Sequence, residues 1–142
     1  NGVCHLDLSL ENCLIKNNTV YFIDFGLSEY FGRKEGNKIT YNFNCYKRCG
    51  KPKYQSLEVY EVSKNNPYDG RKADLWSLGV MLFVMHTGSN LYHKPSPDDM
   101  LYFNAVNGWT KKMVLSWDMD GYIDDVCYDL INNILKPENE RY

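Results

Sequence analysis

Two short apolar runs dominate the start of the chain. Residues 13–16 (Cys-Leu-Ile-Lys) and 19–23 (Thr-Val-Tyr-Phe-Ile) flank Asn17-Asn18. Asparagine tolerates the positive φ of a tight two-residue turn, so the pair predicts a β-hairpin. Residues 27–53 show no sustained period and are rich in Gly, Asn, Lys and Tyr, which predicts a long loop of the kind that is usually functional. A short helix is predicted over 55–62, then a turn-rich connector over 63–70. Residues 72–87 predict a strong helix closed by Gly88; its apolar positions fall on nearly every face, as in a helix buried in the middle of a domain. Pro95 and Pro97 mark another loop. Residues 98–106 predict a helix with Asp98 near its N-cap and Gly108 beyond its end. A last helix is predicted over 122–135, ended by Pro137. The fold class is therefore α+β: a mainly helical domain with one small hairpin.

At 142 residues the chain is one domain or part of one. It begins at Asn1 and enters a motif at once, which reads as a piece of something longer. A net charge of −2 gives no general case for nucleic acid or a membrane surface. The longest apolar run, 78–85, is too short to span a bilayer, and Asp7 and Glu11 break any N-terminal leader. Five cysteines (Cys4, Cys13, Cys45, Cys49, Cys127) are odd in number and irregularly spaced, so they read as reduced intracellular thiols. Cys45 and Cys49 lie four apart, but no second Cys or His pair completes a zinc site.

The chemistry concentrates around the hairpin. Folding it brings Asn12 and Asp24 face to face at its open end, with Asp7 a short loop away. Three oxygen-bearing groups converging there can hold Mg²⁺ and orient a hydroxyl, which is what phosphoryl transfer requires.

His5-Leu6-Asp7-Leu8-Ser9-Leu10-Glu11-Asn12 and Asp24-Phe25-Gly26 resemble the catalytic loop and metal-binding motif of the eukaryotic protein kinases. Residues 49–58, from Cys49-Gly50-Lys51-Pro52 to Ser56-Leu57-Glu58, resemble the family's substrate-docking stretch. Residues 68–80 resemble its central helix. Four motifs in this order cover nearly the whole chain and imply the C-terminal lobe of a protein kinase domain over 1–142, with the small lobe missing. Aminoglycoside- and choline-type phosphotransferases share the His-x-Asp and Asn pattern and form a small-molecule alternative. Ser56-Leu57-Glu58 and the helix from Asp74 to Gly79 favour the protein kinases. The spelling of residues 5–12 is similar to that of the FIKK-type kinases of apicomplexan parasites.

The resemblance implies roles. Asp7 accepts a hydrogen bond from the substrate hydroxyl, Asn12 and Asp24 bind the Mg²⁺ that bridges the phosphates of ATP, and Leu14 forms a floor beneath the adenine. His5 and Phe25 stack to tie the catalytic loop to the core, and Gly26 completes the metal motif. Asp74 accepts backbone N–H bonds from the His5 region, which offset the cost of burying a carboxylate. Glu58 and Arg141 form an ion pair; a loose register before Arg141 leaves a surface position as the alternative.

Three departures change the picture. Leu6 stands where the family usually has an Arg that binds a phosphate on the activation segment, which implies activity independent of phosphorylation there and makes Ser28, Thr40 and Tyr41 poor switches. Ser9 stands where Ser/Thr kinases carry a catalytic Lys, and Lys51 stands where they carry a Thr. These two side chains meet beside the catalytic Asp in the family, so the sequence implies a reciprocal exchange: Lys51 supplies the charge and Ser9 the hydrogen bond. A solvated Lys51 is the plainer alternative. Lys47, Arg48, Lys51 and Lys53 make the loop basic, and Val84 replaces an acidic specificity residue, so basic peptides should be selected weakly; Glu11 keeps one acidic contact.

The implied function is ATP- and Mg²⁺-dependent transfer of the γ-phosphoryl group to Ser or Thr of a protein substrate, in an intracellular, cytoplasmic setting. The residues alone should be inactive without the small lobe. A pseudokinase or scaffold is the other reading: Asp7, Asn12 and Asp24 speak against it, Leu6 and Ser9 for it.

Overall fold

The computed structural model describes residues 2–119, 121 and 123–142. Among the described residues, eight short strands precede or interrupt five α-helices. In chain order they are β1 (Val3–Cys4), β2 (Cys13–Lys16), β3 (Thr19–Phe22), β4 (Glu29–Tyr30), β5 (Gly32–Glu35), β6 (Lys38–Tyr41), β7 (Asn44–Cys45), α1 (Leu57–Tyr60), β8 (Tyr68–Asp69), α2 (Gly70–Thr87), α3 (Met100–Val106), α4 (Thr110–Ser116) and α5 (Asp125–Ile134). The strands form four separate antiparallel pairs: β1 with β4, β2 with β3, β5 with β6, and β7 with β8.

The body is built on α2. Asp69 caps its start by accepting from Arg71 N at 2.9 Å, and Gly88 closes it with φ of 66° and an N–H bonded to Val84 O. Trp76, Val80 and Phe83 are buried against the later helices, while Ala73, one turn before Trp76, is buried with Cys4, Leu6 and Tyr68. Gly79 lets α5 approach: a Cβ there would stand 2.5 Å from Ile134 Cγ2. The core closes on Leu8, Tyr54, Leu91, Tyr92, Tyr102, Met113, Ile131 and Leu135. Trp76 Nε1 donates to Tyr92 Oη at 2.7 Å, and Tyr92 Oη donates to Gln55 O at 2.6 Å, so neither polar tip is stranded.

Several expectations need correction. The helix expected over 72–87 begins at Gly70, two residues earlier. It is not covered on every side, because Leu78 and Met85 are exposed. They line a cavity of about 430 Å³ with Leu10, Cys13, Ile15, Val20, Phe22 and Met81. The segment 27–53 is not an unstructured loop. It holds the β5–β6 hairpin, turned at Gly36 (φ of 63°), and the strands β4 and β7. No apolar alternation announced that hairpin, since its residues are almost all exposed. Two-residue strands paired across 23 or more positions, such as Cys45 with Tyr68, leave no local period either. The 55–62 helix is confined to α1, and β8 occupies part of the connector. Asp99, not Asp98, caps α3, accepting from Leu101 N and Tyr102 N. The last helix is α5; Tyr122, placed within it from the sequence, lies outside the described residues.

Candidate active site

The hairpin forms at the expected turn. Asn17 and Asn18 take φ of 50° and 57°, and Cys13 pairs with Phe22. The ladder runs one step further, with Ile23 N donating to Asn12 O at 2.9 Å. Ile23, and not Asp24, therefore lies opposite Asn12. Asp24 turns outward through the left-handed region (φ 60°, ψ 67°) and accepts from Gly26 N at 3.3 Å. Phe25 to Leu27 follow as a single 3₁₀ turn.

The catalytic loop is pinned from beneath by α2. Leu6 adopts φ of 64°, and the backbone N–H groups of His5 and Leu6 both reach the Asp74 carboxylate, at 2.7 and 2.8 Å. Burial pushes the Asp74 carboxyl above its usual range, and the His5 and Leu6 N–H bonds work against that shift. His5 Nδ1 accepts from Asp7 N at 3.3 Å, so the neutral ring carries its proton on Nε2, which stands 3.0 Å from Ile23 O. The His5 and Phe25 rings lie 4.8 Å apart, joining the catalytic loop to the residue after Asp24.

Asp7 has two distinct oxygens. Oδ2 accepts from Asn12 Nδ2 at 3.0 Å and faces Lys51 Nζ at 3.4 Å. Oδ1 is buried and bonded to nothing. It borders a cavity of about 10 Å³, lined in part by Gly50 and Lys51, which is room for about one water molecule. Asn12 Nδ2 also donates to Asp7 O at 2.8 Å. Asn12 and Asp24 together offer the neutral and anionic oxygen donors that suit Mg²⁺.

Lys51 Nζ donates to the buried Ser9 Oγ at 2.9 Å as well as facing Asp7. The side chain is bonded and a little over one-third exposed (37%), so it is not a freely solvated lysine. Its delivery depends on Gly50. At φ of 82°, a Cβ there would meet Leu6 O at 2.8 Å, so only glycine lets the strand of chain pass this close to the catalytic loop. Gln55 Nε2 clamps the same stretch, donating to Cys49 O at 2.7 Å and Gly50 O at 2.9 Å. Nothing in the sequence pointed to Gln55, because an amide acting through backbone carbonyls has no motif.

Other residues singled out in the sequence lie further out. Leu14 is exposed on β2 opposite Tyr21. Arg141 has no exposed side-chain surface; its Nη1 donates to Glu58 Oε1 and Lys72 O, each at 2.7 Å, and its guanidinium lies 4.8 Å from the Trp76 ring. Leu6 is buried among Cys4, Phe31, Cys45, Val59, Tyr68 and Ala73. Of the basic loop residues, Lys47 pairs with Glu29 at 3.4 Å and Arg48 stacks 3.6 Å over Tyr60.

The sequence matches the family model of the protein kinase domain over residues 1–141, and the chain belongs to that family. It is similar to serine/threonine-protein kinase CHK1 of Saccharomyces cerevisiae, with 33% identity over 96% of this chain and 24% of the relative. Serine/threonine-protein kinase kin-29 of Caenorhabditis elegans is 34% identical over 94% of this chain and 14% of its own length. CBL-interacting protein kinase 11 of Oryza sativa is 38% identical over 96% and 24%. The chain thus spans a quarter or less of these relatives. Members of the family generally use ATP and Mg²⁺. Among the described residues no helix is long and apolar enough to cross a membrane.

Proposed function

We propose that the chain is the large-lobe part of an active protein kinase that transfers the γ-phosphoryl group of ATP to Ser or Thr of a protein substrate. The observation that carries this reading is the convergence on Asp7, whose Oδ2 accepts from Asn12 Nδ2 and faces Lys51 Nζ. A carboxylate held in place in this way can accept the proton of an incoming hydroxyl. Asn12 and Asp24 would hold Mg²⁺, which supplies positive charge along the phosphates. Ser9 holds the Lys51 ammonium beside Asp7, where it can offset charge on the transferring group. Lys51 thereby does from the docking loop what the family does from the catalytic loop. Leu14 would lie under the adenine, with the glycine-rich loop and ATP-anchoring lysine supplied by a small lobe outside these residues. The buried, apolar setting of Leu6 offers no cation to a phosphate, so phosphorylation of the segment should not be needed for activity.

The test uses the full-length protein. Lys51→Met should lower kcat by roughly 10²–10³-fold with Mg²⁺ and ATP present, and Ser9→Lys with Lys51→Thr should recover most of the loss. Turnover within a few-fold of wild type for Lys51→Met would leave the ammonium a mere counter-ion. A silent scaffold is the second reading, favoured by the same 3.4 Å approach, because an ammonium this close also neutralises Asp7. Absence of Mg²⁺-dependent ATP binding and phosphotransfer would select it.

A further inference from the structure

Outside the site, the activation segment holds a pair of thiols with an unusual setting. Cys45 ends β7, and Cys49 begins the stretch that continues through Gly50 to Lys51. The carbonyl of Lys47 accepts from both thiols, 3.9 Å from Cys45 Sγ and 3.6 Å from Cys49 Sγ. Tyr68 Oη donates to the same carbonyl at 2.8 Å and stands 3.4 Å from Cys49 Sγ. Glu29 Oε2 lies 3.7 Å from Cys45 Sγ. The chain between the cysteines is therefore curled around one oxygen, with both sulfurs turned inward to it.

We propose that Cys45 and Cys49 are a redox modification site: a dithiol that hydrogen peroxide converts to a reversible disulfide, and that controls how Lys51 is delivered to Asp7. The second half of this statement rests on the kinase reading above; the first half does not.

The hydrogen bond from Cys49 holds the Cys45 thiol below its usual value, and that same bond, together with burial, raises Cys49. The pair consequently gives up one proton readily and shares the other. Cys45 is 1% exposed and Cys49 is half-buried, so peroxide comes in past Cys49 to reach Cys45. The Cys45 thiolate attacks peroxide while the shared proton rests on Cys49. The O–O bond breaks, one oxygen stays on Cys45 as a sulfenic acid, and the other leaves as hydroxide. Cys49 then loses its proton and attacks the Cys45 sulfur. The S–S bond forms, the S–O bond breaks, and hydroxide departs. With protons taken up, two thiols have lost two electrons and peroxide has become two waters. Cys4 and Cys13 are poor competitors. Burial and nearby Asp74 push Cys4 up to about 12, and burial also raises Cys13.

The bond has a mechanical consequence. A disulfide holds its sulfurs about 2 Å apart and takes both thiol donors away from the Lys47 carbonyl. The turn around that carbonyl must then repack against residue 49. The carbonyl of Cys49 is held by Gln55, and Gly50 already fits against Leu6 O with no space to spare. The displacement passes along the backbone to Lys51. A shift of about 1 Å in a positioned group can cost roughly 10²-fold in rate.

The full-length protein is treated with stoichiometric hydrogen peroxide, free thiols are blocked with N-ethylmaleimide, and peptides are mapped by mass spectrometry. The expected result is a Cys45–Cys49 linked peptide that dithiothreitol releases. Phosphotransfer should fall about 10²-fold on oxidation and return on reduction. Cys45→Ser and Cys49→Ser should each remove the sensitivity, while Cys127→Ser keeps it. Both thiols blocked after oxidation, or a bridge from Cys45 to Cys4, would overturn the site. A linked peptide with undiminished phosphotransfer would overturn its coupling to Lys51. Mapping on the unaltered sequence depends neither on a variant folding nor on the kinase reading, so failure of one does not imitate failure of the other.

Discussion

The catalytic loop and the β2–β3 hairpin are neighbours in sequence, yet they are held in different ways. The loop is buried and fixed by partners far away in the chain: Asp74 beneath it, Lys51 and Gly50 beside it. The hairpin is shaped by its own Asn-Asn turn and is almost wholly exposed, Ile15 to 76%. Its apolar residues continue onto Leu78, Met81 and Met85 of α2 as an uncovered surface. Half of the site is thus positioned before any ligand arrives. The other half, carrying Asp24, has local geometry without a tertiary grip. Preorganisation here belongs to the loop that carries Asp7, not to the segment that carries Asp24.

Substitutions can break or sharpen this contrast. Glu58→Ala should cost about 3–5 kcal/mol in urea unfolding, because it leaves Arg141 buried and unpaired; a loss under about 1 kcal/mol would mean that the body does not rely on that pair. Asp74→Ala strips two N–H groups of their acceptor and should cost about 2–4 kcal/mol. Asp99→Ala, a helix cap away from both regions, should cost about 1 kcal/mol. Ile15→Thr on the hairpin should change stability by no more than about 0.5 kcal/mol. A hairpin variant as costly as the Asp74 change would erase the distinction.

The two aspartates also separate by pH. Asp74 has its folded value raised by burial, so its proton-linked contribution is complete below the unfolded value of 3.8 and is lost as pH rises through the folded value. Asp99 is the reverse. Burial pushes it up, but N–H bonds from Tyr102, His93, Leu101 and Lys94 outweigh that and lower it. Its contribution is present above 3.8 and disappears as pH falls through the depressed folded value. Denaturation of each variant beside wild type from about pH 6 downward should show the Asp74→Ala deficit widening with acid and the Asp99→Ala deficit narrowing.

What the sequence revealed follows the same division. The hairpin, α2 and its glycine cap are written in local signals (an Asn-Asn turn, helical spacing, Gly88), and they stand close to where those signals put them. The meeting of Lys51 with Ser9 came from the kinase pattern and not from any periodicity, since 42 residues separate them. The tiny strands β1, β4, β7 and β8 stayed hidden because each is defined by a distant partner. The outward turn of Asp24 was missed for a smaller reason: one extra ladder step at Ile23 moves it off Asn12.

The hydrogen bonds from Trp76 to Tyr92 and from Tyr92 to Gln55 have one more implication. Gln55 is the residue that grips the carbonyls before Lys51, so the floor of the helical body and the cation at Asp7 share a single strut. Removing one phenolic oxygen deep in the interior, as in Tyr92→Phe, should therefore be felt at the reaction centre while the outer surface keeps its shape.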